Sequence, residues 1–345
     1  LNKKLVQKKE IGQKVTLVDI AKANNCSVST VSRALSDSHE IGEKTKKRIV
    51  EYANKHNYIF NNLAKTLKRG KSNLIGVVVG NSGNSFFSAL LEGIHQGARE
   101  SSYSIIVMQS NDNPGEEKKC ITTLVSIGVD ALIISPIGNS DNIEYLQKLH
   151  INRCMVIAVD RINNRLQTIK IGSKNYEGAY LATKQLIEMG RDRIAHITLN
   201  AKGVSQERFN GFKECLKNHN IKINDKYIQK IQVNNNDELY AELEKCISTL
   251  WKIRSRPNAI FCAMDNITNN IYDILRDKKI SVPKDVIIAG FSNMEYLSNF
   301  KNPIIRIEQN AFDIGKEAIQ TAFEYLNNQG LPLSKRIEFN VKLIQ

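Results

Sequence analysis

Two rhythms of apolar residues divide this chain. Over the first sixty residues they recur at helical spacing in short stretches, and from Leu74 onward they bunch into continuous runs. In VTLVDIAKANNCSVSTVSRAL, Val15 to Leu35, the residues Leu17, Ile20 and Ala21 stand at i, i+3 and i+4, while Val31, Ala34 and Leu35 form a second stripe. Thr16 followed by Asp19 has the form of a capping box, and Ser27 reads as the N-cap of the second helix. Asn24, Asn25 and Cys26 are left as the turn. Each stripe covers only the other, so the second helix keeps its opposite face free, with Val28, Ser29, Ser32 and Arg33 upon it. Glu43 to His56 predicts a third helix, whose Ile49, Tyr52 and Ala53 close the small core. In the following NNLAKTLKRGKSN, Asn61 is placed to cap a helix from Asn62 to Lys68 that Gly70 ends. Such a helix is too short to persist alone in water, and a disordered basic linker is the competing reading.

From Leu74 the runs LIGVVV, SIIVMQ, ALIIS and MVIAVD alternate with amphipathic segments of helical length, the mark of βαβ units around a buried parallel sheet. A second series follows in RIAHIT, AIFCA and VIIAGF, separated by helices such as Tyr176 to Met189 and Leu239 to Trp251. Two sheets predict two lobes, with a small-molecule cleft between the carboxyl ends of their strands.

Charge sharpens this division. The chain carries 49 Lys+Arg against 35 Asp+Glu, a formal net charge of +14, and residues 1–72 alone hold 16 against 6, or +10. A basic excess concentrated on a helix pair is the footprint of a polyanion partner. The free face of the second helix suits a major groove, where Arg33 can fork onto guanine and Val28 can touch a thymine methyl. A solvated helical hairpin with a solubilising basic tail is the plainer alternative, and it accounts for Lys3, Lys4, Lys8, Lys9 and Lys14 in a flexible arm. Leu67, apolar among Lys65, Lys68, Arg69 and Lys71, fits a minor-groove wedge flanked by phosphate contacts.

Other function classes find little support. At 41% hydrophobic and 24% charged the chain is globular. It has no apolar run of about 18 residues and no signal-peptide core, so a cytoplasmic protein without membrane contact is expected. Six scattered cysteines lack C-x-x-C spacing, which argues for reduced buried thiols, not disulfides or zinc. No G-x-G-x-x-G, Walker loop, H-E-x-x-H or G-x-S-x-G occurs, and the six histidines fall at unrelated spacings, so neither an enzyme nor a cofactor or metal site is expected. A solute-binding protein of the same two-lobed form, with no DNA role, would need an export signal and has no use for the basic helix pair.

From Val15 onward the chain resembles the lactose-repressor-type (LacI/GalR) family of transcriptional regulators. The match rests on VTLVDIAKANNCSVSTVSRAL, the junction YIFNNLAKTLKRGKSNLIGVVV, NSFFSALLEGI, VDR at 159–161, QERFNGF at 206–212 and VIIAGFSN at 286–293. The resemblance implies a small all-α helix-turn-helix domain plus hinge helix, followed by a two-lobed α/β, periplasmic-binding-protein-like effector domain. The expected division is a flexible basic arm at 1–14, the helix-turn-helix at 15–60, the hinge and linker at 61–72 and the two lobes at 73–345. Lobe crossovers are expected near Gly172, Pro303 and Asn328.

By the same resemblance, DNA is met by Thr16, Leu17, Ser27, Val28, Ser29, Thr30, Ser32, Arg33, Thr45, Tyr58, Asn61, Lys65 and Leu67. A homodimer on a palindromic double-stranded operator is implied, with operator affinity controlled by a small-molecule effector, a carbohydrate or its derivative. The absence of a heptad tail after RIEFNVKLI favours a dimer over a tetramer. Candidate effector contacts are Phe86, Phe87, Ser135, Asp160, Arg208, Asp265 and Ser292. Asp160 and Arg208 read equally as a structural ion pair or caps. Ser292 stands where the family usually has an acid, Phe60 where a proline is common, and Lys174 near a frequent aspartate, so the effector class is left open between a sugar and another ligand.

Overall fold

The computed structural model describes residues 15–59, 71–138, 141–199, 203–233, 238–294, 304–327, 332 and 334–345. The expected arm at 1–14, the hinge residues Phe60, Asn61, Lys65 and Leu67, and the points near Pro303 and Asn328 lie outside these. The chain divides into two compact units, residues 1–71 and 72–345.

In the first unit, helices α1 (Leu17–Ala23), α2 (Val28–Leu35) and α3 (Glu43–Lys55) enclose Ile20, Ala21, Val31, Ala34, Ile49 and Ala53. Thr16 and Asp19 form the full capping box, and the Ser27 hydroxyl accepts from the Thr30 N–H. The tight turn between α1 and α2 is held twice. Buried Asn24 donates to the Ile20 carbonyl at 2.9 Å, and Arg48 of α3 donates to the Asn24 carbonyl at 2.9 Å. Asn25 takes the left-handed φ of +50° that asparagine tolerates better than most residues.

The larger unit holds two six-stranded sheets. The first contains β1 (Leu74–Val79), β2 (Ser104–Gln109), β3 (Ala131–Ile134), β4 (Met155–Val159), β5 (Ile169–Ser173) and β11 (Lys335–Phe339). Its order is β11-β5-β4-β3-β1-β2, and every pairing is parallel. The second contains β6 (Ile194–Leu199), β7 (Ile228–Ile231), β8 (Ala259–Cys262), β9 (Ile287–Phe291), β10 (Ile304–Gln309) and β12 (Val341–Ile344). Its order is β12-β10-β9-β8-β6-β7, with β12 antiparallel at the edge. The central strands are buried on both faces, which is why they read as unbroken apolar runs.

Helices cover these sheets: α4 (Ser85–Ala98), α5 (Pro114–Ile127), α6 (Asn142–Asn152) and α11 (Ala311–Leu326) on the first, and α7 (Asn175–Glu188), α8 (Val204–Asn218), α9 (Leu239–Lys252) and α10 (Asp265–Asp277) on the second. Although α11 follows a strand of the second sheet, it packs against α4 at a crossing where Gly93 and Gly315 face each other's helix. A methyl group at either would collide with the carbonyl of Phe312 or Leu90.

The chain passes between lobes three times, after Ser173, after Gln309 and after Phe339. The first passage adjoins the expected Gly172. The other two are displaced from 303 and 328, because Ile304–Gln309 still pairs with β9 and because α11 and β11 both belong to the first lobe. Each passage follows a strand end, the point where a chain can change sheets without leaving ladder hydrogen bonds unmade.

Candidate DNA-reading face and effector cleft

On α2 the side opposite the small core is open to solvent. Val28 is 41% exposed, although apolar, and Ser29 and Arg33 are exposed beside it. The hydroxyls are linked to one another, with Ser27 Oγ 2.7 Å from Ser29 Oγ and 2.8 Å from Thr30 Oγ1. Arg33 forms an ion pair with Glu40 at 2.9 Å, with both side chains more than half exposed. Such a pair is weak and releases the guanidinium at little cost when a better acceptor arrives. Thr16 is taken up in the capping box, Leu17 and Tyr58 pack against the core, and Ser32 and Thr45 are half-buried. Asn61, Lys65 and Leu67 fall outside the described residues.

In the larger unit the strand ends bring a polar cluster together. Asp160, directly after β4, has a left-handed φ of +61°, and its carboxylate lies 3.5 Å from the Ser135 hydroxyl after β3. The next residue, Arg161, lies 3.9 Å from Asp160, pairs with Asp112 at 2.7 Å and sits 5.8 Å from the centre of the Phe87 ring. Asp112 follows β2, and it and Asn111 also have left-handed φ values of +58° and +48°. Backbone in sparsely populated regions clusters at functional sites.

The second lobe contributes Arg208 from the second turn of α8. The residue is only 4% exposed, and its guanidinium stacks on Phe291 at 3.5 Å. It donates to the Ala263 carbonyl at 2.6 Å, to Asn175 Oδ1 at 2.9 Å and to Gln309 Oε1 at 3.2 Å. Asn175 opens the helix after the first lobe passage, and Gln309 ends the strand before the second. Gln309 also donates to Ser173 Oγ at 3.0 Å. Arg208 thus grips two of the three passages between the lobes.

Asp265 reaches the opposite lobe directly. Its carboxylate accepts from Ser85 Oγ at 3.0 Å and from Asn269 at 3.2 Å, and it interacts with Ser292. A second bridge joins Arg336 of β11 to Glu207 of α8 at 2.8 Å. Burial raises the carboxyl pKa of both Asp160 and Asp265 despite the nearby guanidinium groups. Burial also pushes Arg208 down to about 10, against the pull of Asp160, Glu207 and Asp265, so it remains charged at neutral pH. Burial opposes the charge on Arg161 as well, but Asp112 and Asp160 hold its pKa above the usual value.

The expected residues therefore separate into two groups. Ser135 and Asp160 meet on the first lobe, and Arg208, Asp265 and Ser292 meet on the second. Phe86 and Phe87 are 5% and 4% exposed, edge to face at 5.5 Å, and pack with Leu90 and Ile94 into the first-lobe core. The Phe87 ring lies beneath Arg161, 5.8 Å from its guanidinium carbon, and both rings help pack α4 against the first sheet. Sequence reasoning missed Ser85, Asp112, Arg161, Asn175 and Gln309. The available signal was position: each lies at, or within three residues of, a strand end or the start of the following helix.

Comparison with known proteins adds the following. Residues 75–330 match the family model of the periplasmic binding protein domain, and residues 16–61 match that of bacterial regulatory proteins, lacI family. The chain is 27% identical over 318 residues to the HTH-type transcriptional repressor PurR of Vibrio vulnificus, covering 91% of this chain and 92% of that protein. It is likewise 27% identical over 314 residues to the ribose operon repressor of Haemophilus influenzae, with the same coverage of both. In fold it resembles the lac repressor dimer bound to operator and an anti-inducer, with a TM-score of 0.77 and 20% identity, covering 96% of this chain and 98% of that one. A LacI-family regulator from Silicibacter pomeroyi gives a TM-score of 0.79 at 20% identity, again covering 96% and 98%.

Proposed function

The chain belongs to the lacI family of bacterial regulatory proteins, a family of DNA-binding transcriptional regulators and not of enzymes, and from that premise we propose that it is a cytoplasmic repressor that binds a palindromic operator as a homodimer and releases or tightens on it when a polyhydroxylated ligand fills the cleft. One observation carries this reading: an uncovered helix face bearing Val28, Ser29 and Arg33 occurs in the same chain as a cleft whose charged groups face each other from two lobes. Arg33 reads guanine in the major groove once it leaves Glu40. Carboxylates and guanidinium groups side by side offer vicinal hydroxyls both acceptors and donors, and each such bond is charge-assisted. The cluster of Asp160, Arg161, Arg208 and Asp265 has that alternation, which supports a carbohydrate over a purely apolar ligand.

Coupling follows from the grip of Arg208. A ligand that engages this side chain competes with, or reinforces, its bonds to Asn175 and Gln309, and so biases the relative setting of the lobes at their passages. Whatever factor the ligand imposes on operator affinity, the operator imposes on ligand affinity. The test begins with selection of duplexes from random DNA by the full-length protein, which should yield a palindrome. Thermal-shift titration against pentoses, hexoses, their phosphates and purine bases then classifies the ligand. Stabilisation by a sugar supports the reading, and stabilisation by purines alone overturns its carbohydrate part.

A further inference from the structure

Away from the cleft, one carboxylate is bonded to the backbone at the point where the larger unit begins. Helix α5 ends at Gly128, whose φ of +87° is the left-handed conformation glycine accepts readily, and Asp130 follows just before β3. Asp130 Oδ1 accepts from the Ser72 N–H at 2.8 Å, and Oδ2 accepts from the Asn73 N–H at 2.8 Å. Its own N–H donates to the Leu74 carbonyl at 2.8 Å. The Ser104 N–H donates to the Asn73 carbonyl at 2.9 Å, and Ser72 Oγ accepts from the Leu74 N–H at 3.1 Å.

Strand pairing does not require this clamp, because β1 is already in register with β2 and β3 from Leu74 and Ile75 onward. The carboxylate acts on the two residues before the strand, which are the first two of the larger unit. At the other end of α5, about 21 Å away for a helix of 14 residues, Asp112 is bonded to Arg161 in the cleft. Glu117, in the first turn of α5, accepts from the Ile137 N–H at 2.7 Å and from Asn142 at 2.9 Å. The clamp and the cleft therefore share one rigid element.

We propose that Asp130 is a positioning residue for operator recognition. It fixes the point from which the chain leaves for the DNA-binding unit, so that a shift of the first lobe is transmitted to that chain and not absorbed by pivoting at Ser72 and Asn73. The proposal rests on the operator-binding dimer described above. In such a dimer, half-site spacing is a geometric property of the protein, and a loosened departure point relaxes it.

The test uses the full-length protein, the duplex it selects from random DNA, and the same duplex with one base pair inserted at its centre. Asp130→Asn and Asp130→Ala should speed amide hydrogen exchange at Ser72 and Asn73. Both should also reduce the preference for the selected duplex over the inserted one by at least fivefold. Should the alanine variant fail to fold, the near-isosteric asparagine variant carries the same comparison, its melting temperature serving as control. Faster exchange with an unchanged spacing preference overturns the proposal, as does a lost preference with exchange unaltered. Failure of the wild-type protein to select any palindrome overturns the dimeric reading itself, and the clamp's role with it.

Discussion

The proposed DNA-reading face and the proposed effector cleft are built in opposite ways. Val28, Ser29, Ser32 and Arg33 lie within six consecutive residues of one helix, all but half-buried Ser32 are exposed, and they form few bonds outside their own neighbourhood. The cleft groups come from Ser85, Asp112, Ser135, Asp160, Arg161, Arg208, Asp265 and Gln309, and buried Arg208 is bonded to three separate parts of the chain. A surface that awaits a polyanion can leave its side chains in water. A cleft that takes a small ligand out of water must hold its own polar groups in place beforehand, because a buried donor or acceptor left unpaired costs about 1–3 kcal/mol. The difference predicts that substitutions on the face change binding alone, whereas substitutions in the cleft change binding and stability together.

The strongest way to break that contrast is Arg208→Ala. It leaves Asn175, Gln309 and the Ala263 carbonyl without their donor and removes one of the two guanidinium groups that offset the burial of the Asp160 carboxylate, Arg161 being the other, so the larger unit should lose about 3–5 kcal/mol. Denaturant unfolding followed through Trp251, which packs in the second-lobe core, would report it. A loss below about 1 kcal/mol would mean that the cleft behaves like the exposed face.

Acid sharpens the contrast further. His196 on β6 is fully buried among Phe209, Phe212 and Phe261, with no hydrogen-bond partner on either ring nitrogen, and burial pushes it down to about 3. The charge on Lys230 also disfavours the imidazolium. An unfolded chain binds this proton near pH 6.5 and the folded one refuses it. Stability of the larger unit should therefore fall as pH drops below about 6.5, by about 1.4 kcal/mol per pH unit, until the folded pKa is reached. Asp160 and Asp265, with raised carboxyl pKa values, oppose this trend by binding protons more readily when folded. Comparing His196→Phe with the parent protein at pH 7 and pH 4.5 isolates the histidine: the variant's stability relative to the parent should rise on acidification.

On the face itself, Arg33→Ala should cost about 1–3 kcal/mol on the selected duplex and leave the unfolding midpoint of the protein unchanged. An equal loss on random DNA would assign Arg33 to phosphate. The smallest effect belongs to Ser85→Ala, which removes one hydrogen bond between the lobes and leaves Asn269 and Ser292 on Asp265. A stability loss of about 0.5–1 kcal/mol is expected by calorimetry, with a weakened ligand response in the thermal-shift assay.

The sequence determined what depends on neighbours along the chain. Helical spacing placed Ile20, Val31, Ala34, Ile49 and Ala53 in one small core, hydroxyl and acid spacing placed the Thr16 and Ser27 caps, and the apolar runs placed seven strands of the larger unit, four in the first sheet and three in the second. It also indicated that Ser135, Asp160, Asp265 and Ser292 stand near strand ends, because in parallel α/β units that position follows from the apolar runs themselves, whereas Arg208 lies inside α8, nine residues beyond β6. Tertiary structure decided what depends on distant residues meeting. That Gln309, and not a residue near 303, ends the second sheet's share of the chain is settled by pairing of Ile304 with Ile288. That Arg161 faces Asp112, that Arg208 takes Asn175 and Gln309, and that Asp130 grips Ser72 are bonds across 49, 33, 101 and 58 positions of chain. No local periodicity encodes such contacts; they exist because packing two sheets and their helices brings polar groups into places where each must find a partner.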